Sequence, residues 1–188
     1  WADVVCIGCG LGTGETSERI LRSTLNKVSV PCIIDADGLN LLARETDLLE
    51  KMHTPVILTP HMKEMSRLTG YSVNELTDRR LEILRGFTEK YPAVCVLKDS
   101  RTFVKERGRH PFFNLAGNSA MAKAAAGDVL AGVITGLVAQ GMQAYESAAL
   151  GVYLHACGGD EAKEAKGSYS VLARDLIAGI EKCMEKKE

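Results

Sequence analysis

An α/β fold, with a mostly parallel sheet carrying helices on both faces, is predicted by three features of these 188 residues. Short and almost wholly apolar runs recur, among them "VVCIG", "PVILT" and "AVCVLK". Strands without polar alternation are those covered on both faces, as in a parallel sheet. Between these runs lie segments with apolar residues at helical spacing. Strand and helix in strict alternation return successive strands to one sheet in one direction.

Each element follows from local chemistry. The first strand covers 4–8, and "ETSERILRSTLNKV" follows as a helix, with Thr13 or Thr16 available to cap it. "PCIIDADG" is the second strand, ending in acids and Gly38, and "LNLLARE" continues it as a helix. The third strand is "PVILT" (55–59). "PHMKEMSRLTG" is a short helix with Pro60 near its first turn and Gly70 past its end. Val73 to Lys90 reads as one amphipathic helix, before a fourth strand at 93–98. "TFVKERGRHPFFN" is a hairpin turning at Arg107-Gly108-Arg109. From Gly127 onward the pattern is helical nearly to the end, with breaks expected at Gly141 and around Gly158-Gly159 and a solvated helix end in "EKCMEKKE".

The bulk properties narrow the function classes. A hydrophobic content of 46% and the lack of linkers, repeats or low-complexity tracts predict a single domain over 1–188. Lys and Arg number 23 against 24 acids, a net charge of -1 that gives no basis for a nucleic-acid or anionic-membrane surface. No apolar run approaches a membrane span, and no signal segment is present. The six cysteines include one C-x-x-C, Cys6 and Cys9, with no second pair to complete a zinc site. They are expected to be buried, reduced thiols of a cytoplasmic protein. The chain opens at Trp1 and runs at once into a strand of the kind that has neighbours on both sides, so further strands are expected to precede it.

In such sheets, ligands collect beyond the carboxyl ends of the strands. The glycine-rich "GCGLGTG" follows the first strand, where it serves either as a tight turn or as a backbone approach to a phosphate or flat ring. Asp35, Asp37 and Asn40 follow the second, able to bind a metal, a ribose or helix-end amides, with capping favoured for Asp37. His61 and, one turn later, Glu64 follow the third. Lys98, Ser100 and Thr102 follow the fourth, a cation and hydroxyls suited to phosphates. In "NSAMAKAAAGDVLAGVITG" (118–136), small residues surround one carboxylate, Asp128, at a helix start. An acid there gains about 0.3–1 kcal/mol from the helix dipole. A capped surface helix does not need small residues on every side, however. Free amides beside the acid suit phosphoryl transfer, with Asp128 taking a proton from the attacking hydroxyl.

Taken in order, "GCGLG" (8–12), "DADGLN" (35–40), "LTPHMKEMSRL" (58–68), "VLKDSRT" (96–102), "GNSAMAKAAAGDVLAGVITGLVAQG" (117–141) and "AALGVYLHACGGDEA" (148–162) resemble the ribokinase-like superfamily. Within it they are most similar to the ADP- or ATP-dependent NAD(P)H-hydrate dehydratases. The resemblance implies a ribokinase-like layered fold and repair of hydrated NADH or NADPH. The ring hydroxyl is phosphorylated by ADP or ATP with Mg2+ assisting, and phosphate is then eliminated. It also implies a homo-oligomer, fused to or working with an epimerase for the same damaged cofactor. It assigns Gly10, Gly12, His61 and Asp128 to the hydrated cofactor, with Asp128 as the catalytic acid. Lys98, Asp99, Ser100, Arg101, Thr102 and Gly127 fall on the nucleotide side, and Glu64 matches an acid that organises magnesium. Ala124, Ala125 and Ala126 stand where the family usually has glycines, and Asp99 where glycine is usual. Two other readings remain: a kinase of the same superfamily acting on a vitamin precursor or sugar, and a non-catalytic relative.

Overall fold

In the computed structural model, which describes residues 1–185, four strands lie side by side in chain order. These are β1 (Val5–Ile7), β2 (Cys32–Ile34), β3 (Val56–Leu58) and β4 (Ala93–Leu97), all parallel. The hairpin of β5 (Phe103–Lys105) and β6 (Phe112–Phe113) extends the sheet antiparallel, turning through Gly108 as its sequence predicts. The register pairs Ile7 with Ile34, Ile34 with Leu58, and Leu58 with Cys95. The residues that follow β1, β2 and β3 therefore emerge level along one edge.

Period-two alternation sorts the apolar strand residues onto two faces. Cys32, Ile34, Val56, Leu58, Cys95 and Leu97 face one core, while Ile33, Ile57, Val94 and Val96 face the other. Strands running in parallel and in chain order place their crossover helices on a single face. That face carries α1 (Glu15–Lys27), α2 (Ala36–Leu42), α3 (Met62–Thr69), α4 (Val73–Asp78) and α5 (Arg80–Lys90). The opposite face is covered by α6 (Ala126–Ala139) and α7 (Ala144–Lys166), through Leu130, Ile134, Ala148 and Val152. The last helix, α8 (Ala173–Glu185), packs on α7, and the final three residues of "EKCMEKKE" lie outside the described residues. No helix among the described residues is long and apolar enough to cross a membrane.

Several local expectations are corrected. The segment 73–90 is two helices meeting at Arg79 (φ -119, ψ 29), which lets Leu76 and Leu84 both reach the core. Neither Thr13 nor Thr16 caps α1, whose N-cap is Gly14. β2 ends at Ile34 and α2 begins at once, with Asp35 in the N-cap position. β1 is an edge strand, paired with β2 alone among the described residues, so Cys6 is exposed. Cys9 is exposed as well, in the turn that follows, whereas Cys32 and Cys95 are buried as expected. The expected break at Gly141 (φ +89) is present.

The break expected at Gly158-Gly159 is not. α7 runs straight through both and stops at Gly167 (φ +74). Each glycine costs about 1 kcal/mol in a helix interior, and here packing explains them. A Cβ on Gly158 would meet Ile180 Cγ1 at 2.6 Å, and one on Gly179 would meet the Gly158 carbonyl oxygen at 2.1 Å. The α7–α8 crossing requires backbone against backbone. Gly179→Ala is expected to destabilise by about 3 kcal/mol or more, read as a melting temperature lowered by roughly 10 °C.

Candidate active site

The four strand ends and the start of α6 converge on one cleft. Gly8 (φ +127) closes β1, and any Cβ there would lie 1.8 Å from the Asp35 carbonyl oxygen. The first turn therefore rests directly on the second. Beyond it, the Gly12 amide donates to Asp37 Oδ2 at 2.8 Å. Asp37 is thus a latch holding the glycine-rich turn, in place of the capping role expected of it. At Gly10 the outer side of this turn is open, since a Cβ there would meet nothing within 4 Å, whereas one on Gly12 would touch Ser17 Oγ at 3.6 Å.

Lys98, one residue past β4, reaches across the sheet edge to Asp35, one residue past β2, with Nζ 2.7 Å from Oδ1. The Asp35 side chain is only 2% exposed. Over this pair lies Gly127, whose Cβ would stand 3.4 Å from Lys98 Nζ and 3.8 Å from Asp35 Oδ2. The amides of Ala126 and Val129 bond to the carbonyls of Lys123 and Ala125, while those of Gly127 and Asp128 have no backbone acceptor among the described residues. Two free amides at the N-terminus of a 14-residue helix, beside a lysine, form an anion cradle.

Asp128 stands in the first turn of that helix and is exposed to the cleft. Carboxylate oxygens of Asp128 and Asp35 and the Cys9 sulfur lie within 4.8 Å of one another. Desolvation, a hydrogen bond with Asp128 and the charges of Asp35 and Asp128 push the Cys9 thiol up to about 12. It remains a neutral group beside the acid. The alanines stand where the family usually has glycines, and a side chain disfavours positive φ. Ala125 nevertheless adopts it (φ +65, ψ 1), at a cost of about 1–2 kcal/mol.

His61 and Glu64 form a reciprocal cap on α3. His61 Nδ1 accepts from the amides of Lys63 and Glu64, both at 3.1 Å, and the His61 amide donates to Glu64 Oε2 at 2.8 Å. Glu64 Oε1 lies 3.3 Å from His61 Nε2. Burial raises the Glu64 pKa, opposed by the bond from the His61 amide and by the charge of Lys98. Both oxygens of Glu64 thus face His61, whereas among the described residues Cys9, Asp35 and Asp128 bring ligand atoms close enough together to share an ion. His61 still borders the cleft, because its backbone bridges to Lys98 at the ends of β3 and β4.

Asp99 turns its charge onto Arg80, 2.7 Å away, and Arg80 stacks over the Phe103 ring at 5.1 Å from its centroid. This pair offsets the negative charge that Asp99 brings to the segment. Ser100, Arg101 and Thr102 complete the turn into β5. Two features of this cleft were not assigned from the sequence: the place of Cys9 beside Asp128, and the pairing of Asp35 with Lys98. Asp35 and Lys98 were each singled out at a strand end, but what joins them is the sheet that sets β2 beside β3 and β3 beside β4.

A sequence profile described as NAD(P)H-hydrate dehydratase matches residues 1–182. The chain belongs to this family. The bifunctional NAD(P)H-hydrate repair enzyme of Moorella thermoacetica is 41% identical to it over 175 residues, covering 93% of this chain and 33% of that protein. The ADP/ATP-dependent NAD(P)H-hydrate dehydratase of Bacillus subtilis, co-crystallised with ATP and Mg2+, superposes with a TM-score of 0.88 at 30% identity, covering 99% of this chain and 65% of that one. A ribokinase-like superfamily protein from Enterococcus faecalis superposes at 0.83 with 33% identity, covering 98% of this chain and 63% of that one. The fold is ribokinase-like. The dehydratase-family chain described here spans about a third of the length of the bifunctional relatives it matches.

Two measurements probe this geometry. Ala125→Gly removes the left-handed strain and is expected to raise stability by about 1 kcal/mol, visible in denaturant unfolding. Lys98→Met strands the Asp35 carboxylate and is expected to cost about 3 kcal/mol. Adding Asp35→Asn to that variant should recover part of the loss in the same assay.

Proposed function

We propose that this chain forms the nucleotide-dependent dehydratase site of an enzyme that repairs hydrated NADH and NADPH, with ADP or ATP as the phosphoryl donor. The single observation that carries the reading is the cradle of Lys98 and the free Gly127 and Asp128 amides, with the Asp128 carboxylate beside it. Cation and amides stabilise charge on the transferring phosphoryl group, and the acid is placed to receive a proton.

In the proposed sequence, the ring hydroxyl of the hydrated cofactor lies between the outer side of the Gly10–Gly12 turn, His61 and Asp128. Its oxygen attacks the terminal phosphorus of the nucleotide. A new P–O bond forms, the bridging P–O bond breaks, and the hydroxyl proton passes to Asp128. The ring C–O bond then breaks with loss of phosphate. A proton leaves the neighbouring carbon, and the ring double bond returns. The segment Lys98, Asp99, Ser100, Arg101 and Thr102 would border the nucleotide, with Lys98 and Gly127 on its phosphates.

Magnesium suits the donors present. Asp35 and Asp128 offer carboxylate oxygens within 4.8 Å of each other, and Mg2+ is typically held by one or two carboxylates plus substrate phosphates. The ion would neutralise phosphate charge there. Glu64, turned onto His61, would act on that site from behind, through Lys98, rather than as a direct ligand.

The same reading places the enzyme in the cytoplasm as a homo-oligomer, acting with an epimerase for the damaged cofactor; the bifunctional repair enzymes among its relatives support that pairing. In the full-length protein, Asp128→Asn is expected to keep nucleotide affinity by calorimetry. It should lower the restoration of reduced-nicotinamide absorbance from hydrated NADH by about 10²–10⁴-fold. Undiminished turnover would overturn the proposed base, and a stable phosphorylated product would assign the chain to a small-molecule kinase instead.

A further inference from the structure

The loop that enters α6 is held from α7 by one carboxylate. Asp160 occupies an exposed position of α7, and both of its oxygens bond to the loop. Oδ2 accepts from the Gly117 amide at 3.0 Å, and Oδ1 accepts from Asn118 Nδ2 at 2.7 Å. The same Nδ2 donates to the Gly159 carbonyl at 3.0 Å. A carboxylate only accepts, so it fixes which end of the Asn118 amide faces α7. Asn118 Oδ1 is left for the loop itself. There it accepts from the Ala120 amide at 2.9 Å and caps a short 3-10 turn, Ser119–Met121.

From that turn a run of backbone bonds leads to the cradle. The Met121 amide donates to the Asn118 carbonyl at 3.2 Å, and that of Ala122 to the Ser119 carbonyl at 3.1 Å. The Lys123 amide donates to the Met121 carbonyl at 2.8 Å, and that of Ala126 to the Lys123 carbonyl at 3.3 Å. Packing joins the same two points. Ala120 of the turn and Ala126, the first residue of α6, are buried in one small cluster with Ala162 of α7 and Leu176 of α8. Met121 fills the space over two glycines: a Cβ on Gly159 would meet its Sδ at 2.2 Å, and one on Gly117 at 3.0 Å. Close-packed interiors transmit displacement, so a shift of the turn reaches Ala126. The peptide that follows Ala126 carries the Gly127 N–H, the first of the two free cradle amides.

We infer that Asp160 is a positioning residue for phosphoryl transfer: from α7 its carboxylate pins Gly117 and Asn118, and through the turn they begin it holds Ala126 where the Gly127 and Asp128 amides face the phosphate. The inference rests on the phosphoryl-transfer reading of the α6 N-terminus. It also explains how a loop strained at Ala125 keeps one conformation.

The test uses the full-length protein. Asp160→Ala removes both acceptors from an exposed helix position and leaves the buried cluster intact. Asp160→Asn keeps an acceptor for Gly117 but sets its NH2 group against that of Asn118. Adding Asn118→Asp to Asp160→Asn returns one donor facing one acceptor, in reverse, and keeps an oxygen to cap the turn. Amides that act on charge developing in the transition state govern kcat more than substrate binding. Loss of one preorganised donor lowers kcat by about 10²–10³-fold, so misaimed amides in each single Asp160 variant are expected to cost about 10–100-fold. The nucleotide KM should stay within about threefold of wild type, and the exchanged pair should recover most of the lost kcat. The Gly127 and Asp128 amide resonances should shift in the single variants and return towards wild type in the exchange. Should Asp160→Ala fail to fold, Asp160→Asn and the exchange carry the comparison. Wild-type kcat in the single variants, unmoved resonances, or an exchanged pair no faster than Asp160→Asn would overturn the inference. A wild type that neither binds nucleotide nor restores the cofactor would instead overturn the functional reading, while the two resonances still decide whether Asp160 sets those amides.

Discussion

The Lys98–Asp35 ion pair constrains everything around it. Its members are 63 residues apart and join the ends of β4 and β2 across the end of β3. Taking a carboxylate out of water costs several kcal/mol unless a cation stays beside it, so the pair fixes which strand ends face each other. It also sets the ammonium group beneath Gly127, with Asp35 Oδ2 turned towards the same residue. The Gly127 amide, Asp128 and the glycine-rich turn are arranged around that pair.

Close backbone approach recurs through the fold. Gly8 against Asp35 and Gly158 against Gly179 are contacts that a single methyl group would obstruct. The first brings the glycine-rich turn onto the cleft, and the second holds α7 and α8 together behind it. Two alanines, Ala36 (φ +49) and Ala125 (φ +65), take positive φ without being glycine, and Ala125 does so at the entry to α6. Strain of this kind persists where the surrounding structure over-determines it. Here the clamps from Asn118 and Asp160 and the packing of Met121 on Gly159 supply that constraint.

Apolar runs and helical spacing were enough to read the order of strands and helices, because burial on both faces leaves its mark in composition. The hairpin and the end of α3 at Gly70 were legible for the same reason: positive φ favours glycine. The division of α4 from α5 was not legible, since Leu76 and Leu84 fit one helical stripe as well as two. Gly158 and Gly159 misled, because a glycine that ends a helix and one that admits a neighbouring backbone look alike in a single chain. In the cleft, Asp128 and Lys98 stood out by position. His61 and Glu64 stood out too, yet their side chains also form a helix cap, and Asp37 turned from cap to latch.

From sequence alone came the alternation of elements, the strand ends where ligands collect, and the set of motifs that marks the family. These depend on period, composition and short spacing, which are properties of neighbouring residues. Tertiary structure alone decided that Asp35 pairs with Lys98, that Arg80 neutralises Asp99, and that Cys9 borders Asp128. The shortest of those separations along the chain, from Arg80 to Asp99, is 19 residues. No local period encodes which distant side chain will arrive when the sheet closes.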